Sequence, residues 1–507
     1  MINTFKGKIK DPYKVFGIAM IALVLICYVI LMIHNGFRYL NADDSSELVL
    51  ARILAEQHSI LTRDWCYSSE LRVLNTNLIF APMFMIFKSW KAVRIAGGCI
   101  LMLIYVLSYL LIPRAWKYER RWFYLTAFIL IMPYSEPWYF FGLKMYYIPH
   151  VTITFLSFAL LGYIYNADTK VKTGIYTALL ALLAFGAGLG GARSVEYTYI
   201  PLFICALLAW FVKKGRISTL ISTLAAVAAS AAGYLVNDKI LAKIYDYHSY
   251  LNVSFIRPSF EMLEWALNAV IASFGYIIGE YFVSLGGICN TLAIVMTTFF
   301  LASFVMIYRK REKLTQTQYN MYLFATVTFI LNTFVMTLGQ NDEYADRYIS
   351  IGMVPAVMLL GMIYELYVKE AERARIIGVL MISVFLILGA RGYLNLIRHS
   401  GNGNRLGYIN FLEENGYDYG YATFWNANIT TEMTDGRIDM TSLDPNAEDL
   451  RVFRWLTDKR LIDEPHDRAF LVLENDEAGM YKGSEPVYTD DSFSVYDIDK
   501  SEIVFDE

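Results

Sequence analysis

The sequence predicts an α-helical protein that crosses a membrane many times and carries a small soluble domain at its C-terminal end. Hydrophobic residues make up 56% of the 507 residues and charged residues only 18%, which is far from the composition of an average soluble domain. The charges are also unevenly divided: residues 395–507 contain 24 Asp and Glu against 10 Lys and Arg, whereas the preceding residues contain 23 against 34. We therefore expect a basic membrane domain, residues 1–394, followed by an acidic domain, residues 395–507.

The apolar segments of the first domain predict about eleven membrane spans. Residues 15–33 are long enough to cross the hydrocarbon core, and the lysines before them place the N-terminus in the cytoplasm. Residues 78–87 are too short and contain Pro82, so they are interpreted as a re-entrant or interfacial helix. Residues 265–282 fit either a second interfacial helix or part of a hairpin. With these choices every cytoplasmic loop is short and basic, and the C-terminal domain lies outside the cell.

The acidic tail predicts a small extracytoplasmic α/β domain. Residues 406–414 read as a helix that stops at Asn415-Gly416. Strand-like runs follow at residues 419–425 and 469–473, with weaker ones near Val487 and Val495. About one hundred residues are enough for such a domain. None of the five cysteines lies in the tail, so no disulfide framework is expected there.

The first external loop, residues 34–77, is the most promising place for chemistry. Its early part contains the acidic sequence Asn41-Ala42-Asp43-Asp44-Ser45-Ser46-Glu47. Apolar residues follow at helical spacing over residues 48–55, which predicts an amphipathic helix along the membrane. Asp43 and Asp44 fit two roles that can coexist. They are favourable acids at a helix start, or one of them is a general base while the other tunes its pKa or helps to hold a divalent cation.

Ionisable residues also concentrate in the other external loops: Glu136, Lys144, His150, Arg193, Glu196, Arg257, Asp342, Glu343, Asp346 and Arg347. Arg193 follows the glycine-rich residues 186–191, where a ligand can approach the backbone closely, and arginine binds phosphate with paired hydrogen bonds. An ion pair between Arg193 and Glu196 is the alternative. Arg347 precedes a span, where it either reaches to the lipid headgroups or holds a lipid-linked phosphate.

Two other patterns in these loops bear on function. Glu136 opens the sequence Glu-Pro-Trp-Tyr-Phe, in which the rings fit either an interfacial aromatic belt or stacking on a sugar. The glycines before Arg193 do not follow the strand-turn-helix pattern of a nucleotide-binding loop, and the histidines lack metal-ligand spacing. The sequence therefore indicates neither a nucleotide site nor a zinc site.

The order of these features resembles the GT-C superfamily of integral-membrane glycosyltransferases, and within it the bacterial enzymes related to protein O-mannosyltransferases and to the transferases of aminoarabinose to lipid A. The matching features are the acidic pair Asp43-Asp44 after the first span, the helix 48–55, the short helix 78–87, Ala92-Val93-Arg94 at the start of a span, and Arg347-Tyr348 at the start of a late span. Two departures stand out. Ser46-Glu47 replaces an aromatic pair that is frequent in the family, and Glu136 replaces a frequent Asp.

The resemblance implies a hexosyl- or pentosyltransferase that moves a sugar, with inversion, from a polyprenyl-phosphate donor to a cell-envelope glycan or lipid at the outer face of a bacterial plasma membrane. It implies Asp43, then Asp44, as the general base, Arg193 or Arg347 at the donor phosphate, and acceptor or metal contacts at Glu47, Glu136, Glu196 and His150. Mg²⁺ or Mn²⁺ is the cofactor considered, and no nucleic-acid partner is expected. A transporter or flippase of lipid-linked saccharide, and a polymerase or ligase of surface polysaccharide, remain as alternatives.

Overall fold

The structure is a computed structural model that describes residues 11–68, 71–247, 259–338, 346–368, 372–399, 401–463, 466 and 468–505. The chain divides into two units, which we describe separately. Unit 1 consists of Met1–Ile30, Leu101–Val236 and Leu251–Leu396, and unit 2 of Leu31–Ile100, Asn237–Tyr250 and Ile397–Glu507. Each unit is therefore assembled from three stretches of sequence. The domain limit predicted after residue 394 stays a prediction.

Helices dominate the described part of the chain. They are α1 Pro12–Asn35, α2 Ala42–Gln57, α3 Asn77–Phe84, α4 Trp90–Ala115, α5 Arg120–Ala127, α6 Glu136–Gly142, α7 Ile148–Tyr165, α8 Lys170–Gly188, α9 Ile200–Phe211, α10 Ile217–Lys239, α11 Phe260–Ser273, α12 Leu285–Arg309, α13 Gln316–Leu338, α14 Arg347–Ala356, α15 Met358–Ile363, α16 Glu372–Arg398, α17 Leu406–Glu414, α18 Phe424–Met433 and α19 Lys459–Asp463. Two π-helical turns, Val195–Tyr199 and Tyr364–Val368, precede α9 and follow α15.

Within the described residues, nine helical segments are long and apolar enough to cross a membrane. They are Pro12–Asn35, Trp90–Ala115, Ile148–Tyr165, Lys170–Gly188, Ile217–Lys243, Leu285–Arg309, Gln316–Leu338, Arg347–Val368 and Arg375–Glu414. The prediction of a helical, multi-pass membrane protein is confirmed. Two of the eleven predicted spans are too short in the structure to count among these nine segments. One is α5 with the 3₁₀ turn after it, and the other is Val195–Phe211.

Short helices form in residues 78–87, interpreted as re-entrant or interfacial, and in residues 265–282, for which an interfacial helix and part of a hairpin were the alternatives. The first, α3, has eight residues and is thus about 12 Å long, well short of the roughly 30 Å of a hydrocarbon core. The second, α11, has 14 residues and spans about 21 Å. It begins where Ser259 accepts a hydrogen bond from the backbone N–H of Met262 at 3.3 Å, which is a normal N-cap. Neither helix is long enough to be a span.

A five-stranded sheet forms the core of the tail in unit 2. Its strands are β3 Tyr419–Thr423, β4 Asp439–Leu443, β6 Arg468–Glu474, β7 Tyr488–Thr489 and β8 Phe493–Asp499, in the order β4-β3-β6-β8-β7. The pairs β3-β4 and β3-β6 are parallel, and β6-β8 and β8-β7 are antiparallel. Both faces are covered, because Tyr421 and Leu471 pack in one apolar cluster while Ala422 and Val472 pack in another.

The helix and strands predicted in the tail are confirmed, with one correction. The strand predicted over residues 419–425 ends at Thr423, and α18 begins at Phe424. The aromatic pair Phe424-Trp425 favours a strand locally, but Phe424 and residues 426–432 are buried in a helix of unit 2, while Trp425 stays exposed. Tertiary packing therefore overrides local propensity at this point.

A second, three-stranded sheet joins the three stretches of unit 2. Its strands are β1 Trp65–Tyr67, β2 Asp246–Tyr247 and β5 Thr457–Asp458, with β1 in the middle. The Asp246 carboxylate accepts a hydrogen bond from Arg454 at 3.1 Å and lies 3.7 Å from Lys459 Nζ. These contacts join β2 to the tail, and the pairing of β1 with β5 joins the loop that carries the predicted acids to the tail as well.

Candidate active site

Asp43 and Asp44 lie in the first turn of α2, in unit 2. The N-cap is Asn41, whose Oδ1 accepts a hydrogen bond from the backbone N–H of Asp44 at 2.9 Å. Ser46 donates its hydroxyl to the Asp43 carbonyl at 2.7 Å. A helix over residues 48–55 is confirmed and begins six residues earlier, at Ala42, but its predicted amphipathic character is wrong, because every residue from Asp44 to Ala55 except Arg52 is buried. Both acids are therefore placed where the helix dipole stabilises negative charge, and Asn41, not an aspartate, is the capping residue.

The two acids differ in their exposure. Asp44 is buried, at 4% exposure, whereas Asp43 is only half-buried. The helix around them is buried on most sides within unit 2, including Ser45, Ser46 and Glu47. Asp43 is therefore the more accessible of the two residues.

A buried ion pair holds the acid-bearing turn in place. Arg94, near the start of α4, donates from Nε to Oε1 of Glu432 at 2.5 Å and from Nη2 to Oε2 at 2.6 Å. The same Nη2 donates to the backbone carbonyl of Asp44 at 3.1 Å. Side-chain exposure is only 3% for Arg94 and zero for Glu432. A bidentate pair of this kind fixes both distance and orientation, so α18 of the tail helps to set the position of Asp44.

Glu47, the third acid of the loop, has partners inside unit 2. Its Oε2 accepts a hydrogen bond from Thr76 Oγ1 at 2.6 Å, and its Oε1 lies 3.4 Å from Arg72 Nη2. Both ends of the pair with Arg72 are about nine-tenths buried. The Glu47 carboxylate therefore joins α2 to the segment before α3. The contact with an acceptor or metal that the sequence suggests for Glu47 stays a prediction.

Unit 1 brings both predicted phosphate-binding arginines to one tyrosine. Burial raises the pKa of Tyr147, and the guanidinium groups of Arg193 and Arg347 each oppose that rise. The Tyr147 ring lies 6.4 Å from the ring of Tyr348 and 6.4 Å from that of His150. Residues from three loops, including the two arginines, thus lie around Tyr147. We call Tyr147, His150, Arg193, Arg347 and Tyr348 the basic cluster.

The backbone around Arg193 explains how its side chain is presented. Gly191 has φ of +104°, a conformation that glycine adopts without steric cost. The π-helical turn Val195–Tyr199 follows, and Thr198 shares a 2.6 Å hydroxyl contact with Thr154 of α7. Single π turns of this kind are frequent at functional sites. Arg193 therefore sits between a glycine turn and a π turn that is anchored to α7.

Glu136 belongs to a separate, acidic group of unit 1. It is the exposed first residue of α6. Burial raises the pKa of Asp346, and the Glu136 carboxylate adds to that rise. Burial also raises the pKa of Tyr139 to about 12, with Glu136 adding to the rise and Arg391 opposing it. The adjacent residues Asp346 and Arg347 therefore contribute to different groups, one acidic and one basic.

The predicted site residues divide between the two units. Asp43, Asp44 and Glu47 lie in unit 2, and Glu136, His150, Arg193, Glu196 and Arg347 lie in unit 1. Glu196 is exposed in the π turn after Arg193. Arg257, Asp342 and Glu343 fall outside the described residues. Sequence reasoning missed Glu432 and Tyr147, and it singled out Arg94 only as part of a motif, without its partner.

The described residues do not form an evident site for a divalent cation. Across these ranges, no group of three or more His, Cys, Asp or Glu side chains is placed to hold a metal ion. The acid loop itself carries Arg72 beside Glu47, and a guanidinium there repels a second cation. The Mg²⁺ or Mn²⁺ considered from the sequence is therefore not assigned to any residue, and no chemical step is derived through it.

Comparison with known proteins identifies the fold. No protein-family model and no curated protein sequence matches this chain. The crystal structure of ArnT from Cupriavidus metallidurans bound to undecaprenyl phosphate aligns over 97% of this chain and 99% of that chain, with a TM-score of 0.56 and 10% sequence identity. The chain has the GT-C fold. The predicted resemblance is confirmed at the level of the fold, which this chain shares with ArnT over nearly its whole length.

A second solved structure also aligns, at a lower level. It is the oligosaccharyltransferase of Archaeoglobus fulgidus, tethered with an acceptor peptide containing the NVT sequon, at a TM-score of 0.48 and 11% identity over 84% of this chain and 64% of that chain. The assignment of the GT-C fold does not use this match. It rests on the alignment with ArnT, which covers nearly the full length of both chains.

Proposed function

We propose that this protein is a membrane glycosyltransferase that moves a sugar from a polyprenyl-phosphate donor to a cell-envelope glycan or lipid. The observation that carries the proposal is the GT-C fold over nearly the whole chain. ArnT, which shares this fold, was crystallised with undecaprenyl phosphate, and a lipid of that class suits a protein with many membrane-spanning helices.

The basic cluster supports an anionic ligand in unit 1. Arg193 and Arg347 both act electrostatically on Tyr147, which supports a role for both guanidinium groups at the same phosphate. Arginine is well suited to this role, because its planar fork pairs with two phosphate oxygens. In the proposed reaction these cations stabilise the charge that develops on the phosphate as it leaves.

Asp43 is our first choice for the general base, and Asp44 the second. The acceptor hydroxyl oxygen attacks the anomeric carbon, its proton passes to the carboxylate, and the bond between the anomeric carbon and the phosphate oxygen breaks to release polyprenyl phosphate. Direct displacement inverts the anomeric configuration. Asp43 is favoured because it is half-buried while Asp44 is buried, and because a helix N-terminus stabilises the negative charge that a base requires.

The remaining assignments complete the proposal. We assign Glu136, Glu196 and His150 to acceptor contacts, and the acid loop and residues 395–507 to the outer face of a bacterial plasma membrane, with the N-terminus in the cytoplasm. The orientation is supported by the short basic loops that the sequence places inside. It brings the acid turn of unit 2 and the basic cluster of unit 1 to the compartment in which a polyprenyl-linked sugar would be used.

The decisive experiment measures sugar transfer from a panel of radiolabelled polyprenyl-phosphate sugars, in membranes that carry wild type, Asp43→Asn or Asp44→Asn at matched expression. We expect Asp43→Asn to lower transfer by roughly 10²- to 10⁴-fold, the usual contribution of general-base catalysis, with donor binding retained. Asp168→Asn is the matched control, because Asp168 forms an exposed pair with Lys172 that is four residues away.

Four results would change the proposal. Wild-type transfer by Asp43→Asn together with loss in Asp44→Asn moves the base to Asp44. Full activity in both variants removes the carboxylates from the mechanism. If no donor gives product while labelled lipid still crosses the membrane, the protein is a transporter, and if the product is a lengthened polysaccharide it is a polymerase or ligase.

A further inference from the structure

An apolar cavity of about 220 Å³ lies in unit 1, and none of the residues that line it belongs to the basic cluster. Its walls come from α5 and the turn after it, α12, α15 with the following π turn, and α16. Leu125, Phe299 and Leu360 are typical of the lining, which is almost entirely hydrocarbon. Apolar cavities of this kind do not hold water, and three of the four walls belong to helices long enough to cross the membrane.

The cavity is open to the outside of the unit. Ile377 of α16 lines it and is still 52% exposed, so a chain can enter beside this residue. Because α16 lies in a membrane-spanning segment, the medium at that opening is lipid hydrocarbon. The volume is suited to one slender acyl chain, since ligand pockets for larger molecules usually exceed about 300 Å³.

A lysine stands at one end of the cavity. The Lys310 ammonium lies 3.6 Å from the centroid of the Tyr367 ring and donates to the Leu366 carbonyl at 2.5 Å. Tyr367 lines the cavity and donates its hydroxyl to the Met306 carbonyl at 2.9 Å. In the part of the chain that the structure describes, Lys310 forms no ion pair with a carboxylate. An ammonium group has three hydrogen-bond donors, so this lysine retains the capacity to hold an anion.

A second cation lies at the same end. Arg375, in the first turn of α16, is exposed, and Gly378, three residues later, packs against the ring of Tyr364, the first residue of the π turn and part of the cavity wall. Lys310 and Arg375 also belong to two of the short basic loops, residues 308–313 and 369–375, that the sequence places in the cytoplasm. Hydrocarbon walls that end at two cations are complementary to an amphiphile with an anionic head.

We infer that this cavity binds one acyl chain of an anionic phospholipid whose phosphate is held by Lys310 and Arg375. Basic pockets between membrane helices on the cytoplasmic side recognise anionic headgroups in this manner. The inference does not depend on the proposed transfer reaction, because the donor phosphate is assigned to Arg193 and Arg347. The bound phospholipid fills space between α5, α12 and α16 and so stabilises the packing of these helices.

The test is lipid retention by the full-length protein, measured by native mass spectrometry after purification from nanodiscs that contain equal amounts of phosphatidylglycerol and phosphatidylcholine. We expect one retained phosphatidylglycerol per chain. Lys310→Gln should lower that retention about fivefold, the effect of one interfacial cation on an anionic lipid. Lys313→Gln is the matched control, since Lys313 is an exposed lysine of the same loop that does not line the cavity.

A second variant tests the cavity itself. Ile377→Trp adds bulk at the exposed opening, where extra volume is tolerated better than in a packed core, and it should reduce retention of every phospholipid. Equal retention of the two headgroups, or unchanged retention in Lys310→Gln, would overturn the inference. Displacement of the phospholipid by undecaprenyl phosphate would overturn it as well, because the occupant would then be a polyprenyl chain. None of these outcomes affects the transfer assay, so the two proposals fail separately.

Discussion

The acid turn of unit 2 and the basic cluster of unit 1 are built in different ways. Asp44 is held through its backbone by Arg94, which is itself fixed by the buried Glu432. The arginines of the basic cluster are half-buried, and Arg347 lies 5.3 Å from the ring centroid of its neighbour Tyr348. The first arrangement fixes the backbone, and the second lets long side chains lie against aromatic rings.

This difference suits the two proposed roles. A general base must reach one hydroxyl within hydrogen-bond distance, and a misplacement of about 1 Å can cost as much as 10²-fold in rate. A phosphate has several oxygens and can be approached from several directions, so flexible cations can serve it. The following predictions test whether rigidity is confined to the acid turn.

The largest effect is expected from Glu432→Gln. The substitution leaves the Arg94 guanidinium buried without its carboxylate, which typically costs about 3–5 kcal/mol of stability. We expect a large loss in the unfolding free energy of the purified protein and a parallel loss of transfer, because the Asp44 turn is released. Denaturant unfolding in detergent measures the first effect, and the radiolabelled donor assay measures the second.

The control for this prediction is Arg437→Gln, also in unit 2. Arg437 and Glu413 form a surface pair at 2.5 Å in which both side chains are substantially exposed, and such pairs contribute about 0–1 kcal/mol. The double variant Arg94→Met with Glu432→Met should be more stable than Glu432→Gln alone, because no unpaired charge is left buried. A Glu432→Gln protein as stable as Arg437→Gln would show that the ion pair does not hold the turn.

The next effect is expected from Arg193→Gln and Arg347→Gln. A hydrogen bond to a charged group contributes about 1.5–3 kcal/mol, so each substitution should weaken donor binding by roughly 10- to 100-fold. The two losses should not be additive in the double variant, since both arginines would act on the same phosphate. Transfer kinetics at varied donor concentration measure this coupling, with the exposed Arg120→Gln as control. Fully additive losses would mean that the arginines serve different ligands.

Local sequence patterns were sufficient for much of this protein. Helical spacing and an acid-rich start predicted α2, and the Asn-Gly stop predicted the end of α17 at Glu414. Long apolar runs predicted the multi-pass membrane fold, since roughly 20 apolar residues are needed to cross a bilayer. These features are encoded within windows of about ten to twenty residues.

The contacts that organise the site are not encoded in such windows. Arg94 and Glu432 are separated by 338 positions, and Glu432 lies on α18, whose sequence Phe-Trp-Asn-Ala-Asn-Ile-Thr-Thr-Glu-Met has no amphipathic period. Tyr147 was missed because tyrosines near a span are typical of an interfacial belt. Only its burial beside two arginines distinguishes it.

The smallest effect is expected from Asp346→Asn, which tests whether Arg347 also depends on a carboxylate. Burial raises the pKa of Asp346, so the folded protein binds this proton more tightly than the unfolded chain does. The stabilising contribution of the protonated form is complete below the ordinary aspartate pKa of about 4 and is lost as the pH rises through the raised value. Asparagine imitates the protonated form at every pH.

We therefore expect Asp346→Asn to be slightly more stable than wild type at pH 7 and equal to it at the acidic end of the range. Because Asp346 is half-exposed, solvent screening should keep the difference below about 1 kcal/mol. Melting temperatures measured in detergent between pH 4 and pH 8 give the trend. A variant that is less stable than wild type at pH 8 would mean that the Asp346 carboxylate supports Arg347, and the basic cluster would then be held by an ion pair as the acid turn is.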